Sequence, residues 1–204
     1  MRYQPQHKAE THRRLLDMAA LRFRAEGLAN VGIANLMADL GLTHGGFYAH
    51  FDSKQQLVAE ASQQAILALA ADWQQRLAHP PAGQTASATL AASYLTRAHR
   101  DFPDSGCILA ALGSELARQS KPVRQAVTAG LAQQLAVLSA ANEQDRTRGQ
   151  ANALPATAQL ALMVGALLLS RLVTDEALSD RIVDEARHAL QVNDEASGGG
   201  SANL

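Results

Sequence analysis

Two glycines, Gly27 and Gly41, close two apolar helical stripes in quick succession, and nothing else in the chain restricts its fold so strongly. Upstream of the first, Leu15, Ala19 and Phe23 recur every fourth residue with Leu16 and Ala20 beside them, which predicts a helix over about 8–26 that Gly27 ends as a C-cap. "IANLMADLG" then places Ile33, Leu36, Met37 and Leu40 at the i, i+3, i+4, i+7 positions of one apolar face. Gly41 closes this second helix. Only Leu42 separates Gly41 from Thr43, a residue that can cap a third short helix whose Phe47 and Phe51 point to one side. Two short helices joined by a tight glycine-containing turn make a helix-turn-helix.

The third helix carries Gly45 and Gly46, although a glycine costs a helix about 1 kcal/mol relative to alanine. In a helix-turn-helix the second helix enters the major groove by its N-terminal residues. Glycines at that end let the backbone approach the DNA and offer amides to phosphates. On this reading Thr43 and His44 reach base edges, Tyr48 and His50 hydrogen-bond phosphates, and Lys54 adds charge. The plain alternatives are that Thr43 only caps and that Tyr48 and His50 only pack. Phe47 and Phe51 belong to the core on either reading.

The rest of the chain is helical by the same signals. It is 47% hydrophobic but only 4% aromatic, rich in Ala, Leu and Gln and without Val-Ile-Thr alternation, which predicts an all-α fold. "DSKQQLVAEA" opens a longer helix with Ser53 at the N-cap and Gln56 completing a capping box. Its stripe of Leu57, Ala61, Ala65, Leu69, Trp73 and Leu77 ends at Pro80 and Pro81, a joint between head and body. Further helices are expected near 84–102, 105–119, 121–146, 154–174 and 178–192. The closing "NDEASGGGSANL" has nothing to bury and is expected to be disordered. The scheme is a head over 1–52, a body over 53–192 and a tail over 193–204.

Charge is unevenly spread over a chain of net charge −1. Residues 1–24 carry six Lys and Arg against two acids, and residues 171–204 carry three against seven. A basic head suits a polyanionic partner, and a merely solvated face is the plain alternative. A single cysteine excludes an intramolecular disulfide, and the N-terminus has no apolar signal region, so the cytoplasm is the expected compartment. "AQLALMVGALLLSRLV" is shorter than the roughly 20 residues of a membrane span and contains Gln159 and Arg171, so no membrane association is expected. That helix is too apolar to face water, and the last one shows Ile182, Ala186, Ala189 and Leu190 on one side. The two are expected to pair with their symmetry mates in a four-helix bundle, with Leu168, Ile182, Ala186 and Leu190 in a homodimer interface. Ala161, Gly165 and Ala166 allow close approach. The same surface could instead be intramolecular core.

The stretch from Thr11 to Ala61 resembles the DNA-binding head of the TetR family of bacterial transcriptional regulators. The likeness rests on the Gly27 break, the Gly41-Leu42 turn and "GGFYAHFDSK", with Phe47, Tyr48, His50, Phe51, Ser53 and Lys54 in register. It implies an all-helical homodimer whose head binds a palindromic double-stranded DNA operator and whose body holds a small-molecule inducer. A cavity among the helices of the body is then expected, with Trp73, Tyr94, Phe102, Leu112 and Met163 as wall residues. This chain departs from the family pattern in two places. It has Val31 and Gly32 where a phosphate-touching Thr or Ser is usual, with the Gly32 amide or Asn30 as substitutes, and His44 where lysine is commoner. "DSGCILAALGSELARQSKPVRQAV" is similar to a branch that includes repressors of reductases and detoxifying enzymes for reactive electrophiles. In some of those the cysteine of the Ser-Gly-Cys turn is the sensor, and here that residue is Cys107, placed by its sequence in the first turn of a helix.

An enzyme is not expected, because no nucleophile elbow, P-loop, H-E-x-x-H or dinucleotide fingerprint is present. The seven histidines lack ligand spacing, so neither a metal nor another cofactor is expected, and His12, His79, His99 and His188 read as solvated or structural. The rival to a DNA-binding regulator is a dimeric helical scaffold or partner-binding protein in which the helix-turn-helix is only a packing unit. The two differ in salt dependence, which is steep for a phosphate-binding head.

Overall fold

The computed structural model describes residues 5–81, 83–150 and 154–191. The expected tail over 193–204 lies outside the described residues. The described residues form nine α-helices: α1 (Pro5–Glu26), α2 (Ile33–Asp39), α3 (Lys54–Ala78), α4 (Ala86–Tyr94), α5 (Arg97–Asp101), α6 (Ile108–Leu116), α7 (Lys121–Thr147), α8 (Ala156–Leu172) and α9 (Glu176–Gln191). Short 3-10 helices occupy His44–Ala49 and Pro103–Ser105. The chain divides into two compact units, Met1–Leu69 with Phe102–Gln133 and Ala70–Asp101 with Gln134–Leu204.

The first unit is built around the predicted stripes. Leu15, Leu16, Ala19, Ala20 and Phe23 of α1 meet Leu36 and Met37 of α2, Phe47, Phe51, and Leu57, Val58 and Ala61 of α3. The same core takes in Ile108, Leu112 and Leu116 of α6 and Val123 of α7, so packing joins this stretch to the helix-turn-helix. Both stops have the expected conformation: Gly27 has φ +83° and Gly41 φ +69°, a region L-residues with a side chain rarely adopt. Gln56 donates its amide to Ser53 Oγ at 3.2 Å, while its side chain accepts from Asp52 N at 2.7 Å, one residue earlier than in a standard capping box.

In the second unit α8 and α9 pack along each other, with α4 against α9 and α5 against α8. Buried Asp145 of α7 caps α4: Oδ1 accepts the Ala86 amide at 2.6 Å and Oδ2 accepts the Ser87 amide at 2.8 Å and the Ser87 hydroxyl at 2.6 Å. These are charge-assisted bonds to the positive end of a helix, so removing one partner would strand buried polar groups at about 1–3 kcal/mol each. The single helix expected over 84–102 breaks at Leu95, because Thr96 caps a new one by accepting the His99 amide at 3.0 Å. Arg171 of α8 closes α5, donating to the carbonyls of Arg100 at 2.9 Å and His99 at 2.5 Å. No helix among the described residues is long and apolar enough to cross a membrane.

Candidate nucleic-acid interface

The segment between Gly41 and α3 differs from its expected form. His44–Ala49 is a 3-10 helix, held by i to i+3 bonds such as Gly46 N to Thr43 O at 2.9 Å and His50 N to Phe47 O at 2.9 Å. Six residues that include two glycines favour this tighter, shorter coil over an α-helix. Thr43 has the extended backbone of a cap residue, but its side chain makes no capping bond, which corrects the capping role expected for it. Thr43, His44, Gly45 and Tyr48 are exposed, Tyr48 by 58%, whereas Phe47 and Phe51 are fully buried. The two phenylalanines anchor the segment with ring centroids 5.4 Å apart, and Tyr48 stands edge-on between Phe47 and His44. The face they hold outward is therefore polar.

Neither glycine is required by the fold. Both have ordinary backbone angles. A Cβ on Gly45 would meet nothing within 4 Å, and one on Gly46 would make only ordinary contacts with Thr43 Oγ1 and Met37 Cε at 3.5 and 3.6 Å. Gly45 leaves bare backbone on a surface that its own chain does not touch, and Gly46 continues it half-buried against Thr43 and Met37.

The basic charge of the head is already partly committed. Arg13 pairs with Glu10 at 2.7 Å and with Asp17 at 3.4 Å, Arg22 joins Glu26 to Asp39, and Arg24 donates to the Asp104 carbonyl at 2.5 Å. Lys8 and Arg14 are exposed and make no ion pair among the described residues. Lys54 is half-buried, with Nζ 3.4 Å from the Ala29 carbonyl. His50 follows the 3-10 helix, and its buried Nδ1 has no partner among the described residues. Burial pushes the His50 imidazole below its ordinary pKa, and the charges of His12 and Lys8 push it the same way. His12 stacks on Phe51 at 4.5 Å and bonds Glu60 of α3 at 2.9 Å.

Comparisons with known proteins match this architecture from both ends. The model described as "Bacterial regulatory proteins, tetR family" matches residues 15–61, and "Tetracyclin repressor-like, C-terminal domain" matches residues 86–186. The chain belongs to the TetR family. It is a DNA-binding transcriptional regulator and not an enzyme. Among solved structures, the reduced form of NemR from E. coli is 22% identical with a TM-score of 0.71, covering 89% of this chain and 95% of that one. A regulator from Saccharomonospora viridis in complex with choline is 15% identical with a TM-score of 0.71, covering 91% and 97%. AibR, in complex with isovaleryl coenzyme A and operator DNA, is 17% identical with a TM-score of 0.61, covering 88% and 97%. No curated protein sequence matches the chain.

The entry to α2 has no side-chain cap. Val31 is buried and Gly32 takes the cap position with no side-chain bond. Of the two substitutes, Asn30 uses its side-chain amide on the Glu26 carbonyl at 2.7 Å, while Gly32 stands in open space. Sequence reasoning missed Glu115 of α6, whose Oε2 accepts the Leu28 amide at 2.8 Å in the turn between α1 and α2. Its only signal was a carboxylate near the end of a stretch assigned to the body.

Cys107 occupies the cap position before α6, not the first turn, and is buried at 4% exposure. It lies close to Arg24, as does Asp104, and burial lowers the pKa of that guanidinium. Trp73, Tyr94 and Met163 are buried in the second unit, with the Trp73 and Tyr94 rings edge to face at 6.0 Å. Leu112 and Phe102 belong to the first unit, Leu112 in its core and Phe102 61% exposed. Of the expected interface residues, Leu168 is exposed and Ile182 half-buried, whereas Ala186 and Leu190 are covered within the chain itself. The open apolar stripe is Ala161, Leu168, Leu169 and Leu172 of α8, running past Gly165 where a Cβ would meet nothing within 4 Å. Among the described residues no group of three or more His, Cys, Asp or Glu could hold a metal ion.

Proposed function

We propose that this regulator is a cytoplasmic homodimeric repressor that binds a palindromic operator and leaves it when a small molecule or a reactive electrophile acts on the body. The division of labour is a DNA-binding head over 1–52 and a ligand-binding and dimerisation body over 53–192. The observation that carries the reading is the split between Phe47 and Phe51, which hold the segment in place, and Thr43, His44, Gly45 and Tyr48, which are exposed on its outer face. Thr43 and His44 read base edges, and the Gly45 and Gly46 backbone lies against the DNA. Tyr48, His50 and Lys54 bind phosphates. About three to five phosphate contacts per subunit give a dimer that loses roughly 10³–10⁵ in affinity between 50 and 200 mM salt.

The inducer site is assigned to Trp73, Tyr94 and Met163 of the second unit, and the sensing thiol to Cys107. Support for the latter is its place between α1 and α6: an adduct there would displace Arg24 and so act on α1 directly. Dimerisation is assigned to Leu168 and Ile182 with the α8 stripe, and Ala186 and Leu190 support that face from inside. The complexes of AibR with isovaleryl coenzyme A and operator DNA and of the Saccharomonospora viridis regulator with choline support a ligand-binding body.

The test uses DNA fragments flanking the coding sequence. Tyr48→Phe should weaken all operator variants alike, whereas a change at His44 should alter preference among them. A His44 variant that keeps the wild-type ratio across operators refutes base reading there. Release by a quinone in wild type but not in Cys107→Ser establishes the thiol as sensor, and equal release assigns induction to a noncovalent ligand.

A further inference from the structure

The first unit contains a cleft of about 420 Å³ whose lining includes Leu28, Ala29, Lys54, Val58, Glu115 and Arg118. It opens where the turn after α1, the start of α3 and the end of α6 come together. That volume falls in the range of small-molecule sites, roughly 300–1,000 Å³. Its floor is apolar, since Leu28 and Val58 are core residues of the head.

Its charges are unevenly satisfied. Glu115 is committed to the Leu28 amide. Lys54 has only the distant Ala29 carbonyl, at 3.4 Å, and the exposed Arg118 guanidinium makes no ion pair or hydrogen bond among the described residues. Two cations and one carboxylate therefore line the cleft over an apolar floor, leaving one positive charge in excess, an arrangement complementary to one negative charge on a short hydrocarbon. The Arg118 guanidinium presents the planar donor fork that matches a carboxylate.

We infer that this cleft binds a small amphipathic monocarboxylate, its head group between Lys54 and Arg118 and its tail over Leu28 and Val58. The site is separate from Trp73, Tyr94 and Met163. Its consequence for regulation rests on the phosphate-binding reading of Lys54: an occupant that engages this ammonium competes with DNA for it, and sits beside the Glu115 to Leu28 bond that holds the turn after α1.

The experiment titrates octanoate into the full-length protein by calorimetry, with octanol as the uncharged control and Arg118→Ala and Arg118→Lys as variants. One octanoate per chain is expected, bound about tenfold more weakly by Arg118→Ala, with partial recovery in Arg118→Lys, while octanol binds at least about tenfold more weakly than octanoate. No saturable octanoate binding, equal binding of octanol, or undiminished binding by Arg118→Ala overturns the site. In a second arm, octanoate at about its wild-type Kd should lower the operator affinity of wild type clearly more than that of Arg118→Ala. Equal loss in both proteins, or no loss at all, overturns the competition. A failure of the protein to bind any operator would count against the operator reading alone, because the titration on free protein still decides the cleft.

Discussion

Glu115 Oε2 accepts the backbone amide of Leu28 at 2.8 Å, and through that bond the end of α6 holds the turn that leads from α1 into the helix-turn-helix. Gly27, one residue earlier, has φ +83°, and a Cβ there would lie 3.2 Å from Glu115 Oε1. The turn is thus shaped around this carboxylate. Glu115→Ala strands the Leu28 amide and should cost about 1–3 kcal/mol. Thermal unfolding should show the loss, together with a weaker operator complex. Glu115→Gln, which keeps an acceptor, should recover most of both. Equal behaviour of the two variants would show that the bond carries neither.

Gly45→Ala separates folding from binding. The new methyl meets nothing within 4 Å, so the melting temperature should stay close to that of wild type, while operator affinity falls severalfold because the methyl stands between backbone and DNA. An unchanged operator affinity would mean that the glycine does not mark the DNA-facing backbone.

The exposed stripe of α8 tests assembly. Leu172 is 68% exposed and Leu168 44% in the single chain, so Leu172→Glu or Leu168→Asp costs the monomer little but opposes a like charge across a two-fold interface. Light scattering should show a dimer become a monomer with helical circular dichroism intact. A variant that unfolds instead would place the stripe in the core of one chain.

Stability should fall on mild acidification. Burial, followed by His12 and Lys8, lowers the pKa of His50. Burial also lowers that of His99, against the hydrogen bond to the Tyr94 carbonyl and with help from Arg171. The unfolded chain, with histidines near about 6.5, then binds protons that the folded chain excludes. Stability is therefore complete above that value and declines as pH drops through it. Melting temperatures on either side of that value measure the decline, and His50→Gln with His99→Gln should shrink it. The operator should show the opposite linkage: phosphate contact at His50 favours the protonated ring, so binding should tighten as pH falls, and His50→Gln should remove part of that gain.

The sequence by itself determined the helical architecture of the head and the orientation of its residues. Apolar side chains at helical spacing can be buried only on one face, and glycines at Gly27 and Gly41 supply the left-handed backbone that ends a helix, so both signals are local and legible. The same periodicity separated Phe47 and Phe51 from Tyr48. Tertiary structure decided which polar groups remain available. Arg13, Arg22 and Arg24 look alike in a charge count, yet each is tied to acids or a carbonyl brought near by the helix or the fold, while Lys8 and Arg14 are not. It also decided that Cys107 is buried beside Arg24, that Ala186 and Leu190 are covered while Leu172 is open, and that Glu115 reaches Leu28 from a distant part of the sequence. Such pairings depend on which helices pack together, and side-chain spacing along one helix carries no information about its neighbour.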